Sequence, residues 1–550
     1  MDLPLTLGLW LAAAAPLAAV LILLIGLRWK ATSAAAVGYF LAAALALTLF
    51  QSSPGLVALQ SVKGVWDALF IAYVIAPALL LYEISDEAGA FGAIRRGIEA
   101  ITPNVLLHVL AFGWVFPSFL QGITGFGAPI AVAAPLLLAL GLKPVWAVAI
   151  PIIGHAWAKT FGTLGVAWEA LARVTEISDP ALTLLATSVM LGVANLLAGI
   201  VIAWVYGRWQ GIREAWPAVL VLSAIMALGQ LAIAQVAPNL ANVVPGAVAL
   251  IVVSLLARKR YAQRSAVVDS PLLRKDDPAP AATGDAPAAA HPGHDMPLWL
   301  AFGPYLLLTA LIMVVELVPA IGGPLDAVRF GLPFPALETG YGVATAATAA
   351  YSGFSPLTHP GTFLLVSSII AFWVFRKRGY IPAGRLDEIG VDTLRTSIPT
   401  IMALMAFVPL ALVMEGSGMV LELAAGLAEV ASAPVYALLS PLIGAFGGFL
   451  TGSNLSANIL FGPLQERAAE ALGLNPAFIL AAQTSGAAIG SSIAISAVLL
   501  GLGAVGASGQ TANTLRAMMP FVVLALLAMA LITLGGAWMF PPVGANGTGG

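Results

Sequence analysis

The sequence predicts an all-α polytopic membrane protein with about twelve transmembrane helices, two re-entrant hairpins and inverted-topology repeats. Three observations predict it. First, 60% of the 550 residues are hydrophobic and only 9% are charged, against about 25% charged in soluble domains. Second, apolar runs of about twenty residues, enough to cross the hydrocarbon, recur along the whole chain. Third, two longer apolar runs are interrupted by glycines, hydroxyls and amides: FLQGITGFGAP from Phe119 and FLTGSNLSAN from Phe449. The absence of cysteine excludes disulfides, thiol chemistry and Cys-ligated metal. A net charge of −2 selects no charged partner, and nothing points to nucleic acid or a cofactor.

Residues 5–27 form the first expected span. It has no basic region before it and is followed by Arg28 and Lys30, so it reads as an uncleaved helix with its N-terminus outside. Spans follow at 31–51, 63–84, 145–167, 181–206, 217–236 and 240–257, completing an N-terminal half over 1–257. Residues 258–296 are a Pro/Ala-rich cytoplasmic linker, expected to be disordered over 265–296 and to hold no metal despite His291, His294 and Asp295. The C-terminal half, 297–550, has spans at 297–320, 360–375, 397–415, 477–500 and 517–540.

The basic clusters are Arg28/Lys30, Arg95/Arg96, Arg208/Arg213, RKRYAQR from Arg258 and RKR from Arg376. Placing all of them in the cytoplasm works only if 103–142 and 433–465 each enter and leave on one side. These two are therefore read as re-entrant hairpins. Both termini then lie outside a bacterial-type plasma membrane.

The two interrupted stretches are related to one another. Phe119-Leu120-Gln121-Gly122 matches Phe449-Leu450-Thr451-Gly452, and Ala139 to Pro144 matches Ala471 to Pro476 two residues further apart. Gly154 falls on Gly486 and Glu83 on Glu415. The stretch after Glu83 carries Arg95 and Arg96, whereas the one after Glu415 carries Glu422 and Glu429 and no basic residue. Opposite charge at matching places predicts opposite insertion of two repeat cores, 63–167 and 395–500. Irregular backbone at membrane depth is tolerated only where it lines an enclosed cavity, so the interruptions mark the expected site.

The first interruption offers Ser118, Gln121, Thr124 and the backbone of Gly122, Gly125 and Gly127. The second offers Thr451, Ser453, Asn454, Ser456 and Asn458. Helix ends and uncharged donors of this kind suit a small oxyanion. In 145–167, His155 and Lys159 stand four apart and are expected on one helix face continued by Thr163. A mid-membrane lysine costs about 2.5–3.5 kcal/mol to insert, which makes Lys159 a functional candidate or the structural partner of a buried carboxylate such as Glu83. Gln483, Thr484, Ser485 and Ser491 form the corresponding polar face of 477–500. His155 reads either as a packing histidine or as a proton carrier, and Glu83 and Glu415 as proton carriers or interfacial carboxylates. Lys63 and Asp67 read as a helix-end salt bridge, while Glu316, His108 and His359 take no role.

SFLQGITGFGAP from Ser118, GLKP from Gly141, FLTGSNLSANILFG from Phe449 and QTSG from Gln483 occur in the order found in the lactate permease family, which the chain resembles through both repeats. The resemblance implies secondary active import of L-lactate or glycolate with H⁺. The family pattern has Glu where Gln121 stands, Asp where Asn454 stands, and Lys where Ser491 stands. Ser491 is the repeat-mate of Lys159, so on this reading the lysine has moved to the symmetric position. The competing readings are a Na⁺-coupled or exchange carrier for another organic anion, and a passive anion channel. A membrane-embedded enzyme would need a converging nucleophile and base or a metal set, which the sequence does not offer. An oligomer is compatible with all of these.

Overall fold

The computed structural model describes residues 3–100, 102–267, 270–274 and 296–540. Thr6 caps α1 (Leu7–Ile25) by accepting from the Leu9 N–H. In α2 (Ala31–Thr48) the buried face is Ala34, Ala35, Gly38, Ala42 and Ala46, which lets neighbouring backbones come close. The long α3 (Pro54–Glu87) starts from a Ser53 cap followed by proline, the favoured first residue of a helix. After α4 (Ala90–Glu99), α5 (Val105–Leu110) runs through one π-helical turn, Ala111–Val115, into α6 (Phe116–Ile123). The chain breaks at 124–127, where Phe126 and Gly127 are left-handed, and resumes as α7 (Ala128–Ala139).

Next come α8 (Pro144–His155), α9 (Gly162–Val174), α10 (Pro180–Ala234) and α11 (Val243–Lys259). α10 is two helices meeting at Gly207 and Arg208, where the backbone leaves helical angles, and they correspond to the expected spans 181–206 and 217–236. The short α12 (Leu298–Ala301) leads into α13 (Gly303–Leu317), which meets α14 (Pro319–Asp326) at 85°.

After four short strands come α15 (Pro360–Lys377), α16 (Leu386–Ser417) and α17 (Met419–Val430). The rest are α18 (Ala433–Thr451), α19 (Asn454–Ala471), α20 (Pro476–Ser492), α21 (Ile495–Ala504) and α22 (Thr511–Met539). Among the described residues eleven helices are long and apolar enough to cross a membrane, or twelve if the bent α13–α14 pair is one span. The chain is a multi-pass, predominantly helical membrane protein.

α18 and α20 pack at backbone distance. Gly444 and Gly448 sit against the Gln483 and Ala487 carbonyls, and Gly486 and Gly490 sit against the Pro441 and Ala445 carbonyls. Lipid tails are as apolar as leucine, so association in a membrane relies on such close packing of small residues. In the N-terminal half Gly154 of α8 sits on the Gly113 carbonyl in the same way.

Four features differ from the sequence expectation. Residues 145–167 are not one helix: the backbone breaks between His155 and Gly165. Residues 330–354 form antiparallel strands, β1 (Phe330–Phe334) with β4 (Thr348–Phe354) and β2 (Leu337–Glu338) with β3 (Ala344–Thr345), inside an otherwise helical chain. These strands settle on α3, with the Trp66 indole donating to the Ser352 carbonyl (3.1 Å) and Gln60 donating to Thr345 (3.0 Å). Asp67 is bound by Arg173 (2.8 Å) and Tyr351 (2.6 Å), while the Lys63 ammonium lies over the Phe334 and Tyr351 rings. The expected Lys63–Asp67 pair is thus replaced by a strut joining α3, α9 and β4.

The fourth difference concerns the start of the linker. Tyr261, Ser270 and Leu272 are buried, Ser270 donates to the Tyr206 carbonyl (2.6 Å), and Leu273 pairs with Leu142. Ordered backbone bonds therefore hold residues 270–274 to the N-terminal half. Residues 275–295, with His291, His294 and Asp295, lie outside the described residues.

Candidate functional site

The break after α8 builds the site. His155 ends the helix, Ala156–Ala158 make one 3₁₀ turn, and Thr163, Leu164 and Gly165 are left-handed at φ 50°, 53° and 78°. A left-handed L-residue costs roughly 1–2 kcal/mol, so Thr163 and Leu164 must be held by their surroundings. The Gly165 N–H donates to the Phe161 carbonyl (3.2 Å), and the Trp168 N–H reaches back to the Thr160 carbonyl (3.2 Å). Asn242 donates to the Ala158 carbonyl, and Gln230 in turn donates to Asn242 (2.7 Å). Buried polar side chains here replace the backbone partners that the helix has lost.

Because the helix is broken, His155, Lys159 and Thr163 do not lie along one helical face. The His155 ring is buried and its Nδ1 donates to the Pro151 carbonyl, leaving Nε2 as its basic atom. Lys159 is partly buried inside the break. Its Nζ donates to the Ser491 hydroxyl at 3.3 Å, across 332 residues of sequence. Among the described residues no carboxylate forms an ion pair with Lys159, so Glu83 is not its partner.

Thr160 joins the two halves. It donates to the Thr484 carbonyl (3.2 Å), accepts from the Asn454 amide (3.1 Å), and lies 3.2 Å from the Thr484 hydroxyl. Asn458 donates to Thr484 Oγ1 (2.8 Å) and to the Ala167 carbonyl (2.9 Å). With their amides so directed, Asn454 Oδ1 and Asn458 Oδ1 are buried oxygens without a donor among the described residues, and the Ser485 hydroxyl is likewise buried without a partner among them. Unpaired buried acceptors are rare in folded proteins because each forfeits its hydration, and a group of them calls for a donor from outside the chain.

The remaining expected residues divide into two groups. Gln121 is buried against Gly162, and Gly125 packs so closely on the Thr163 hydroxyl and the Gln121 amide that a Cβ would have no room. The first tip therefore touches the break itself. Gly122 lies on the Asn242–Val243 backbone, Gly127 lies under Leu500, and Ser456 is buried at the start of α19. Other polar groups are used within the fold. Ser118 donates to the Gly154 carbonyl and accepts from Trp157, both at 3.1 Å. Thr124 bonds its own helix, Thr451 bonds the Gly447 and Ser453 carbonyls, and Ser453 caps α19. Gln483 accepts from Gln465 (3.0 Å).

Neither glutamate lies at Lys159. Glu83 is in the last turn of α3, and Glu415 is held by Arg467 at 2.7 Å. Sequence reasoning missed Thr160, Asn242, Gln230 and Gln465. Thr160 had one available signal, its place next to Lys159, but the helical-face argument directed attention to Thr163 instead.

A sequence model of one family, described as L-lactate permease, matches residues 10–540. The chain belongs to the L-lactate permease family. The L-lactate permease of Escherichia coli K12 is 30% identical over 97% of this chain and 98% of its own length. The glycolate permease GlcA of the same strain is 28% identical over 87% and 86%, respectively. YdaH of Alcanivorax borkumensis, a transporter of solved structure, is 15% identical over 87% of this chain and 88% of that one, with a TM-score of 0.43. This member of the L-lactate permease family is a membrane transporter and not an enzyme.

Proposed function

We propose that the chain is a secondary active transporter that imports small organic monocarboxylates with H⁺ by alternating access, with L-lactate or glycolate as the substrate. The observation that carries this reading is Lys159, a cation within a broken helix whose partner is a serine hydroxyl from the other half of the chain. A charge-assisted bond from lysine to a carboxylate is stronger than one to a neutral hydroxyl, so an anion displaces Ser491 favourably. The unpaired oxygens of Asn454 and Asn458 add acceptors that the hydroxyl of a 2-hydroxy carboxylate satisfies and a plain carboxylate does not. Relatives named for lactate and glycolate, both 2-hydroxy acids, support the same class.

In this reading 103–142 and 433–465 are re-entrant hairpins of two inverted repeats, and the contacts of Thr160 with Asn454 and Thr484 are the seam that opens and closes. The halves are 1–257 and 297–550, with both termini outside the plasma membrane. The hydroxyls and amides of the two tips line the anion's path. His155 stands nearest in sequence to Lys159 among the groups expected to carry protons.

The test is L-lactate uptake into proteoliposomes under an imposed inward H⁺ gradient, without Na⁺. Accumulation that a protonophore abolishes is expected. Uptake only down its own gradient would instead indicate a channel. A second reading, Na⁺ coupling, draws on the same Asn454 and Asn458 oxygens, which are also hard-cation ligands. Accumulation that disappears when choline replaces Na⁺, and is indifferent to the H⁺ gradient, would establish it.

A further inference from the structure

One face of α19 runs from the site to a buried acid. Asn454, Asn458, Gly462 and Glu466 recur every fourth residue, which places them in one row along the helix. The row lies along the broken segment and the helix that continues from it. Asn454 meets Thr160, Asn458 meets the Ala167 carbonyl, Gly462 lies against Leu171 and Thr175, and Glu466 accepts from the Glu176 N–H at 3.1 Å. Both partners advance together, so α19 and the 160–176 segment lie side by side in parallel. Glu466 closes the row about 18 Å from Asn454, at 1.5 Å per residue.

Glu466 is 3% exposed, and the Glu176 N–H is the one donor to its carboxylate among the described residues. Its neighbour Arg467 is committed to Glu415 (2.7 Å) and Glu470 (3.1 Å). The other charged and titratable groups on the elements packed around it have their own partners or lie apart. On α9, Arg173 is bound to Asp67, and Glu169 lines a cavity of about 170 Å³ with Glu316. On α17, Glu422 accepts from the Thr6 N–H, and Glu429 lies near the helix end. On α18 the Tyr436 hydroxyl donates to Gln465, and α20 has no charged residue. An ionised carboxylate in this setting is poorly compensated, and protonation relieves it.

Resting on the H⁺-symport reading above, we infer that Glu466 is a proton-carrying residue of the transport cycle, working at the contact between α19 and the segment that follows Lys159. The carboxylate takes H⁺ from water on one side, crosses the cycle as the neutral acid, and returns H⁺ to water on the other. Ionised, Glu466 joins the carboxylates of Glu415, Glu470 and Glu176 around one guanidinium and holds the Glu176 N–H by a charge-assisted bond. Neutral, it holds that N–H less tightly and lets the two helices separate. The stripe back to Asn454 joins this change to the seam at Thr160.

The experiment compares wild type with Glu466→Gln in proteoliposomes, by H⁺-driven L-lactate accumulation and by lactate–lactate exchange without a gradient across a pH series. Glutamine keeps the shape of the neutral acid but cannot release a proton. E466Q is expected to lose more than tenfold of the driven accumulation while still exchanging lactate at a rate that no longer follows pH. Accumulation or a pH profile equal to wild type would overturn the inference and leave the symport reading standing. Wild type that fails to accumulate lactate under the gradient removes the symport reading itself. An E466Q protein that neither exchanges lactate nor is thermally stabilised by it has lost its fold or its site, and that result assigns Glu466 a structural role.

Discussion

The segments 144–174 and 476–504 match in sequence, Gly154 with Gly486, yet the first loses its helix over a much longer stretch. α20 runs without interruption to Ser492 and breaks over two residues before α21. α8 stops at His155, and a regular α-helix does not resume until after Gly165. Both are pinned early by a glycine on a facing carbonyl, Gly154 on Gly113 and Gly486 on Pro441. α20 then has a second pin four residues on, at Gly490 against Ala445. The first segment has Ala158 there, next to Trp157, whose indole donates to Ser118, and then the glycines 162 and 165. One half thus supplies a regular helix with a hydroxyl, and the other supplies irregular backbone with a charge. Lys159 and Ser491, which the sequence match pairs, meet at 3.3 Å between ammonium and hydroxyl.

The hardest test of that comparison is to exchange the two residues. Lys159→Ser should abolish saturable lactate uptake, since losing a charge-assisted bond of about 1.5–3 kcal/mol lowers affinity about tenfold to a hundredfold. Adding Ser491→Lys to that variant should restore measurable uptake. If the double variant stays inactive while remaining folded, the two positions are not equivalent, and the irregular backbone around Lys159 matters as much as its charge.

A smaller effect is expected at the pin unique to α20. A Cβ at Gly490 would collide with the Ala445 carbonyl, so Gly490→Val should destabilise the protein by about 1–3 kcal/mol, read as a lower unfolding temperature in detergent. An unchanged temperature would mean that the close α18–α20 contact is not what keeps this helix regular. The converse test concerns the support of the break. Asn242→Ala strips the donor from the Ala158 carbonyl and should cost about 1 kcal/mol by the same assay, with a weaker apparent lactate affinity. A change in stability without a change in affinity would separate the break's backbone from the anion. The smallest effect belongs to Gly503→Ala on α21, where a Cβ meets nothing within 4 Å, and a shift within about 0.5 kcal/mol is expected.

Much of the architecture was legible in order along the chain. Spanning helices announce themselves through length and apolarity, and every apolar run expected to span, apart from 145–167 and the bent 297–320, has a helix within it. The motifs at Phe119 and Phe449 were legible because Gly, Ser, Thr and Asn stand out in an apolar background, and helices do break at 124–127 and 452–453. The break at 155–165 was not legible. AWAKTFGTLG is no more polar than a helix with two glycines, and the break is supported from a distant segment, by Asn242, which donates to the freed Ala158 carbonyl and is itself held by Gln230. The strands at 330–354 were missed for a related reason. Their Gly/Pro-rich sequence is loop-like, and they pair with each other and with the side chains of α3.

What the amino-acid order determined by itself is local: which segments are apolar enough to enter lipid, where they are interrupted, and which positions of one half match the other. These follow from transfer energies and spacing that each segment carries alone. The tertiary structure decided which polar groups are left over. Ser118, Thr451 and Gln483 look as available in the sequence as Asn454 and Asn458, but among the described residues folding gave the first three partners and left two oxygens of the other pair without one. Among the same residues it gave Lys159 a hydroxyl and Glu466 an N–H. Hydrogen bonds are satisfied by neighbours in space, and no local pattern records which neighbours those will be.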